Sequence, residues 1–192
     1  TNANDVLTLS GVISGNFNLT KEGLGTVILS ANNTYAGTTT ISAGTLRITH
    51  NNGLGTTAGG TTIASGAILD LFNVAVGNEA ITLSGGTLTD VTSSLSGDIT
   101  LTAHSNVGAT NADDVLTLSG VISGNFNLTK VGLGTVILSA NNTYSGTTSI
   151  NAGTLSVTGA LAGTTAVTVA SGTTFALGGI GSIGSSSLLV VN

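Results

Sequence analysis

Residues 19–48 read LTKEGLGTVILSANNTYAGTTTISAGTLRI, and residues 128–157 read LTKVGLGTVILSANNTYSGTTSINAGTLSV. The longer alignment that contains both stretches, Thr1–Leu46 against Thr110–Leu155, keeps 41 of 46 positions identical. A long unit that recurs in this way is typical of repeat architectures, in which each copy packs on the next. We therefore expect one continuous domain over residues 1–192, with a first long unit at 1–109 and a second, truncated unit at 110–192.

A shorter period runs inside the long unit. Single aliphatic residues, each between small polar residues, recur at a period of about 22 residues, a usual length for a solenoid repeat: Leu19, Ile41, Ile63, Leu83, Leu101, Leu128, Ile150 and Val169. A second set of runs alternates apolar and polar residues: VLTL (6–9), TVIL (26–29), TLRI (45–48), ILDL (68–71), TLTD (87–90) and VLTL (115–118). Such alternation predicts half-buried strands, and the Gly, Asn and Ser residues between the runs are typical of turns.

A coil made of strands and turns over about 22 residues cannot bury its apolar side alone, but it can do so when it stacks on copies of itself. The sequence therefore predicts an all-β fold, a single-stranded parallel β-helix (a solenoid) of about nine coils of ~22 residues. Like strands would lie roughly 4.8 Å apart, and their inward residues would form continuous aliphatic columns.

Both copies of the opening stretch resemble the autotransporter-associated β-strand repeat. The resemblance rests on these elements of the first copy and their equivalents in the second: Lys21, Gly23, Gly25, Thr26–Ser30, Asn33-Thr34-Tyr35, Gly37-Thr38-Thr39 and Ala43-Gly44-Thr45-Leu46. The resemblance implies a right-handed parallel β-helix in the passenger region of a large secreted or surface-exposed bacterial protein. In that family the repeat is associated with export and extension rather than with catalysis.

Composition argues against several classes of partner. The chain has three Lys and Arg residues against eight Asp and Glu, and a net charge of −5. Lys21, Arg47 and Lys130 are scattered, whereas a phosphate backbone needs several cations together, so we expect no nucleic-acid partner. The longest apolar run, residues 188–191, is far too short to cross a bilayer, so no membrane insertion is expected in this segment. The absence of Cys excludes disulfides and zinc–thiolate sites.

Candidate catalytic and metal-binding residues are few. Asp70 and Asp90 could stack on neighbouring coils, and two carboxylates at about 5 Å suit a retaining glycosidase. Against this, Asp70 aligns with Ala176 in the second copy, and Arg47 lies one coil earlier, where it could neutralise Asp70. His50 and His104 are too far apart in sequence to indicate a metal site. We therefore predict no catalytic residue, no bound metal and no cofactor.

For other polar and aromatic residues, structural roles are the simpler interpretation. Asp5 and Asp114 precede strands and are expected to accept hydrogen bonds from turn amides. Tyr35 and Tyr144 could be exposed platforms for sugar stacking, or partly buried rings with the hydroxyl at the surface.

Small polar residues flank the first aliphatic ladder and would form an uncharged, hydroxyl-rich surface: Asn18, Thr20, Thr40, Ser42, Thr62, Thr82, Ser84, Thr100 and Thr102. Thr favours exposed strand positions, which explains such a surface without any function. Alternatively the surface recognises a ligand, because regular Thr arrays on β-helices are similar to the ice-binding surfaces of some antifreeze proteins.

The sequence thus favours a non-catalytic, structural or adhesive segment of an extracellular or cell-surface bacterial protein. The alternatives are a self-assembling filament subunit, an ice- or glycan-binding module, and a polysaccharide-degrading enzyme. The chain stops at SLLVVN without a polar cap, so we expect it to contact flanking coils of a longer chain or to associate end to end. A host or matrix glycan or protein is a further possible partner.

Overall fold

The computed structural model describes residues 2–179, 181–184 and 188–192. These residues form strands and turns without a helix, so the described part of the chain has no helix that could cross a membrane. Each coil contributes up to three short strands, and every named strand pairs in parallel with the like strand of a neighbouring coil. The predicted all-β parallel solenoid is confirmed.

The longest sheet, here called sheet A, runs along the whole stack. Its ten strands, in spatial order, are Val6–Leu9, Thr26–Leu29, Thr45–Ile48, Ile68–Phe72, Thr87–Val91, Ser105–Gly108, Leu128–Val131, Thr148–Ile150, Ala166–Val169 and Leu188–Val191. Ten stacked strands correspond to nine complete turns, in agreement with the predicted number.

Two sheets of six strands form much of the other two sides. Sheet B consists of Leu19–Lys21, Thr39–Ile41, Thr61–Ala64, Ile81–Ser84, Ile99–Leu101 and Ile122–Gly124. Sheet C consists of Ala75–Val76, Ser93–Leu95, Val115–Leu118, Thr135–Leu138, Thr154–Val157 and Thr174–Leu177. Two small sheets complete these sides at the ends, one made of Ser14–Gly15 and Thr34–Tyr35, and the other of Asn141–Asn142, Ala160–Leu161 and Ser182–Ile183.

The coil is shorter than predicted, and this moves the second long unit to other sides of the solenoid. Each residue of sheet A pairs with one residue of the next strand, and nine such pairings lead from Val6 to Val190. A turn therefore takes on average about 20 residues instead of the expected ~22. The first long unit, residues 1–109, therefore occupies five turns of the solenoid plus one of the sides of the next turn. Val6–Leu9 lies in sheet A, whereas its copy Val115–Leu118 lies in sheet C, so the prediction that both belong to one ladder was wrong.

The core consists of aliphatic columns, as predicted, but their membership differs in detail. Ile41, Ile63, Leu83 and Leu101 are in register in sheet B and are at most 1% exposed. Leu19 pairs instead with Thr39, and Lys21 occupies the column position next to Ile41. Leu128, Ile150 and Val169 lie in sheet A because the second unit is displaced by one side. The column that begins in sheet B therefore does not continue to Leu128.

The corners explain part of the high glycine content. A Cβ atom at Gly97 would collide with the carbonyl of Glu79 in the coil before it, and one at Gly120 would collide with the carbonyl of Gly97. Backbone atoms of successive coils therefore meet directly at this corner. Only glycine permits so close an approach.

Candidate functional site

The predicted hydroxyl surface is largely formed on sheet B. Thr20, Thr40, Thr62, Thr82 and Thr100 lie in register as one outward row. Ser42, Ser84 and Thr102 follow Ile41, Leu83 and Leu101 on the same side of the strands as this row. Asn18 does not join the row, because its Oδ1 accepts a hydrogen bond of 3.0 Å from the backbone N–H of Thr38.

Similar rows of small polar residues lie on the other sheets, which the sequence reasoning missed. One outward row of sheet A carries seven small polar residues, interrupted by Ile68: Thr26, Thr45, Thr87, Asn106, Thr129, Ser149 and Thr168. Sheet C carries Thr135, Thr154 and Thr174 in register. The signal was present in the sequence, since these residues alternate with the aliphatic ones. Hydroxyl rows are thus a general property of this coil, and a recognition role for the row on sheet B stays a prediction.

Asp70 and Asp90 do not form a carboxylate pair. Asp70 pairs with Thr89, and Asp90 pairs with Leu71, so the two side chains point to opposite faces of sheet A. Asp90 points into the core and is completely buried, and its Oδ2 accepts a 2.6 Å hydrogen bond from the N–H of Ser93. Its Oδ1 has no hydrogen-bond partner among the described residues. Burial raises the pKa of Asp90 to about 7.

Asp70 interacts with a cation of the neighbouring coil, as the sequence suggested. The Nε of Arg47 lies 2.7 Å from Asp70 Oδ2, and the guanidinium also lies over the ring of Phe72, 5.0 Å from its centroid. Burial raises the pKa of Asp70, while the hydrogen bond from Arg47 opposes this increase. The carboxylate is thereby held by a structural ion pair.

The two lysines of the repeat motif point into the core, which was not predicted. Lys21 and Lys130 are 5% and 1% exposed, and Lys130 stands in an inward column of sheet A between Val107 and Ile150. Lys130 Nζ donates to the carbonyls of Val131, Gly132 and Ala152 at 2.8–3.0 Å. Lys21 Nζ makes the same three bonds, to the carbonyls of Glu22, Gly23 and Ala43.

Each of these amines therefore ties together the turns of two successive coils. Two of its acceptors belong to its own turn, and the third belongs to the next coil. Burial lowers the pKa of both lysines, that of Lys130 to about 8. We refer to this arrangement as the lysine clamp. It explains why a polar residue recurs at a core position in both copies.

Removing one clamp should destabilise the solenoid. We expect Lys130→Met to lower the free energy of unfolding by about 2 kcal/mol, because methionine fills the column but leaves three carbonyls without a donor. Urea denaturation followed by circular dichroism measures the effect. Leu133→Met changes an exposed residue of the same turn and is the control. An unchanged midpoint for both Lys130→Met and Lys21→Met would show that the clamps add no stability.

Both tyrosines are buried, so neither alternative considered for them is correct. Tyr35 and Tyr144 have no exposed surface, and each hydroxyl lies 2.7 Å from a threonine Oγ1, of Thr39 and Thr148 respectively. They cannot act as platforms for sugar rings. Burial raises the pKa of Tyr35 to about 12.

A buried carboxyl group lies near the first tyrosine and was not singled out from the sequence. Glu79 is 4% exposed, and its Oε1 accepts a 2.8 Å hydrogen bond from Thr61 Oγ1. Thr61 is the register neighbour of Thr39, the partner of Tyr35. Burial raises the pKa of Glu79 to about 7.

The remaining candidate residues serve turns. Asp5 Oδ2 and Asp114 Oδ2 accept hydrogen bonds from the N–H groups of Asn2 and Asn111, which confirms the prediction for these two residues. His50 Nδ1 accepts from the N–H of Asn52. His104 Nδ1 likewise accepts from the N–H of Asn127.

Comparisons with known proteins agree with the repeat found in the sequence. The family model of the passenger-associated transport repeat matches residues 19–48 and 128–157. The chain is also 35% identical over 136 residues to the adhesin BmaC autotransporter of Brucella suis biovar 1 (strain 1330). This similarity covers 69% of the chain but only 4% of the length of that relative. No solved structure matches the chain.

Proposed function

We propose that the chain is a non-catalytic, structural and adhesive segment of a bacterial protein at the cell surface or outside the cell, on the premise that residues 19–48 and 128–157 match the passenger-associated transport repeat. The observation that carries the proposal is the position of both repeats within one stack of parallel coils. The similarity to the Brucella relative, an adhesin autotransporter, supports the adhesive part of the proposal.

The proposed mechanism is mechanical. Parallel backbone hydrogen bonds link each coil to the next along sheet A, and the lysine clamps add side-chain links between turns. Many weak contacts act together at each interface between coils, so that the stack forms a stiff rod. Such a rod holds its outward side chains at fixed distances, which suits the display of a binding surface.

The arrangement of the polar residues supports a role without catalysis. Asp70 and Asp90 point to opposite faces of one sheet, whereas a glycosidase needs two carboxyl groups that face one cleft and flank the bond that is cleaved. Asp70 is paired with Arg47, and the tyrosines are buried. End-to-end association and contact with flanking coils stay predictions.

Adhesion can be tested directly with the purified chain. Fluorescent beads coated with the protein should bind to cultured epithelial cells or to extracellular matrix more than beads coated with the heat-unfolded protein. A parallel assay for reducing ends released from soluble polysaccharides should give no activity. Binding no better than that of the unfolded control would contradict the adhesive function, and turnover that is lost in Asp70→Asn would indicate an enzyme.

A further inference from the structure

A cleft opens at the corner where sheet A passes into sheet C. It has a volume of about 470 Å³ and extends over four successive coils. Its polar side chains come from a loop and from three strands or their ends: Asn51, Asn73, Thr92, Ser94 and Thr117. Ala75 and Val115 provide apolar surface. The volume lies in the range of roughly 300–1,000 Å³ that is usual for small-molecule sites.

The backbone at this corner is strained. Asn73 and Thr92 have φ angles of 52° and 47°, and within the described residues they are the non-glycine residues with positive φ. They are neighbours on adjacent coils, since Phe72 pairs with Val91 just before them. A β-branched residue rarely adopts this conformation, and such strain is found disproportionately at binding and active sites.

Buried groups hold the strained corner in place. Ser93 N–H donates to the buried carboxyl of Asp90, and Ser93 Oγ accepts a 3.1 Å bond from the N–H of Val74. Asn51 Oδ1 accepts a 2.9 Å bond from the N–H of Ala75, which fixes the loop that forms one wall. The cleft is therefore preorganised, and preorganisation reduces the entropic cost of binding.

The lining has polar groups that are available to a ligand. The side chains of Asn73, Thr92, Ser94 and Thr117 have no hydrogen-bond partner among the described residues. Amides and hydroxyls both donate and accept hydrogen bonds, as the hydroxyl groups of a sugar also do. Ala75 and Val115, which are not buried, can contact the apolar C–H face of a sugar ring.

Charge disfavours acidic ligands in this cleft. Among the residues that the structure describes, those that line it are all uncharged. Of the three cations, Lys21 and Lys130 are buried with their amines bonded to carbonyls, and Arg47 is paired with Asp70. A sulfated or carboxylated glycan would thus find no counter-ion on a chain of net charge −5.

We propose that the cleft formed by Asn51, Asn73, Thr92, Ser94 and Thr117 binds a short, neutral oligosaccharide. The unpartnered side chains of Asn73, Thr92, Ser94 and Thr117 lie on three of the four coils, so at a strand spacing of about 4.8 Å they offer polar groups over roughly 10 Å, enough for two or three sugar rings. The proposal rests on the adhesive function proposed above and specifies its ligand class and location.

The test uses the complete chain and immobilised neutral oligosaccharides of two to four rings, from the cello-, chito- and malto- series, with a heparin-derived oligosaccharide as the charged probe. Ser94→Phe and Thr117→Phe would fill the cleft. Ser156→Phe is the matched control, because Ser156 occupies the same outward row of sheet C two coils beyond Thr117 and outside the cleft. Thermal unfolding checks that each variant is folded, and if Ser94→Phe does not fold, Thr117→Phe decides.

The wild type and Ser156→Phe should bind at least one neutral probe, and filling the cleft should weaken that binding by tenfold or more. Binding that is unaffected by either cleft variant would overturn the proposal, as would binding of the charged probe alone or of no probe at all. The bead assay distinguishes a failure of the proposed sugar-binding cleft from a failure of the proposed adhesive function. If beads adhere but the cleft variants bind sugars like the wild type, only the cleft is refuted; if folded protein does not adhere, the adhesive function itself fails.

Discussion

The free energy of unfolding should fall by about 4 kcal/mol between pH 4 and pH 8, so the solenoid should be more stable in mild acid than at neutral pH. Two buried carboxyl groups cause this, Glu79 and Asp90, because burial raises the pKa of each to about 7. Their unfolded values are near 4.5 and 3.8. Between those values and pH 7 the folded state keeps protons that the unfolded state releases, and stability therefore declines as pH rises.

The size of the effect follows from the same values. A pKa raised from 4.5 to about 7 corresponds to roughly 3 kcal/mol. Water entry and relaxation reduce this, so we count about 2 kcal/mol for each carboxyl group. Asp70 and Asp114 act on Asp90 in the same direction as burial, while Lys130 and the N–H of Ser93 oppose it. Lys130, whose pKa is lowered to about 8, contributes to the pH dependence of stability chiefly above pH 8.

Urea denaturation at pH 4, 6 and 8 measures the effect. Glu79→Gln and Asp90→Asn imitate the protonated acids, so each should flatten the pH dependence by about half, and the double variant should keep only the remainder due to Asp70, whose pKa is also raised. Glu22→Gln removes an exposed carboxyl group and is the control. A wild-type stability that rises from pH 4 to pH 8 would contradict the protonation of these groups in the core.

Leu83→Ala should lower the free energy of unfolding by about 2–5 kcal/mol, the usual cost of truncating a buried leucine. Leu83 has no exposed surface and lies in register between Ile63 and Leu101, so alanine would leave a gap in the middle of an aliphatic column. Because each coil contacts chiefly its neighbours, the gap weakens two interfaces between coils at once.

Two controls distinguish the column from the leucine itself. Leu133→Ala removes the same atoms from a side chain that is 65% exposed, and it should cost less than about 0.5 kcal/mol. Thr82→Ala changes the outward neighbour of Leu83 and should also have a small effect. Equal losses for Leu83→Ala and Leu133→Ala in urea denaturation would disprove the inward column.

The candidate sites show which side-chain contacts can be predicted from sequence patterns and which cannot. The turn roles of Asp5 and Asp114 were predictable, because Asx residues before strands act on amides a few residues away. The contact between Arg47 and Asp70 was also anticipated from their separation of one coil. The lysine clamps were not, since a lysine in a strand is normally interpreted as exposed. Its inward direction depends on the turn of the following coil, which supplies the third carbonyl.

The sequence by itself determined the winding: alternation of apolar and polar residues and their recurrence once per coil leave a parallel stack as the way to bury every aliphatic row. The tertiary structure decided which side of the solenoid each copy occupies. The steps between register partners are uneven along sheet A, since the step from Thr26 to Thr45 is shorter than the step from Thr45 to Ile68. Only the sum of such steps places Val115–Leu118 one side beyond Val6–Leu9. No local sequence pattern predicts the total number of residues in these turns, because the length of each turn is set by contacts with the coils on either side.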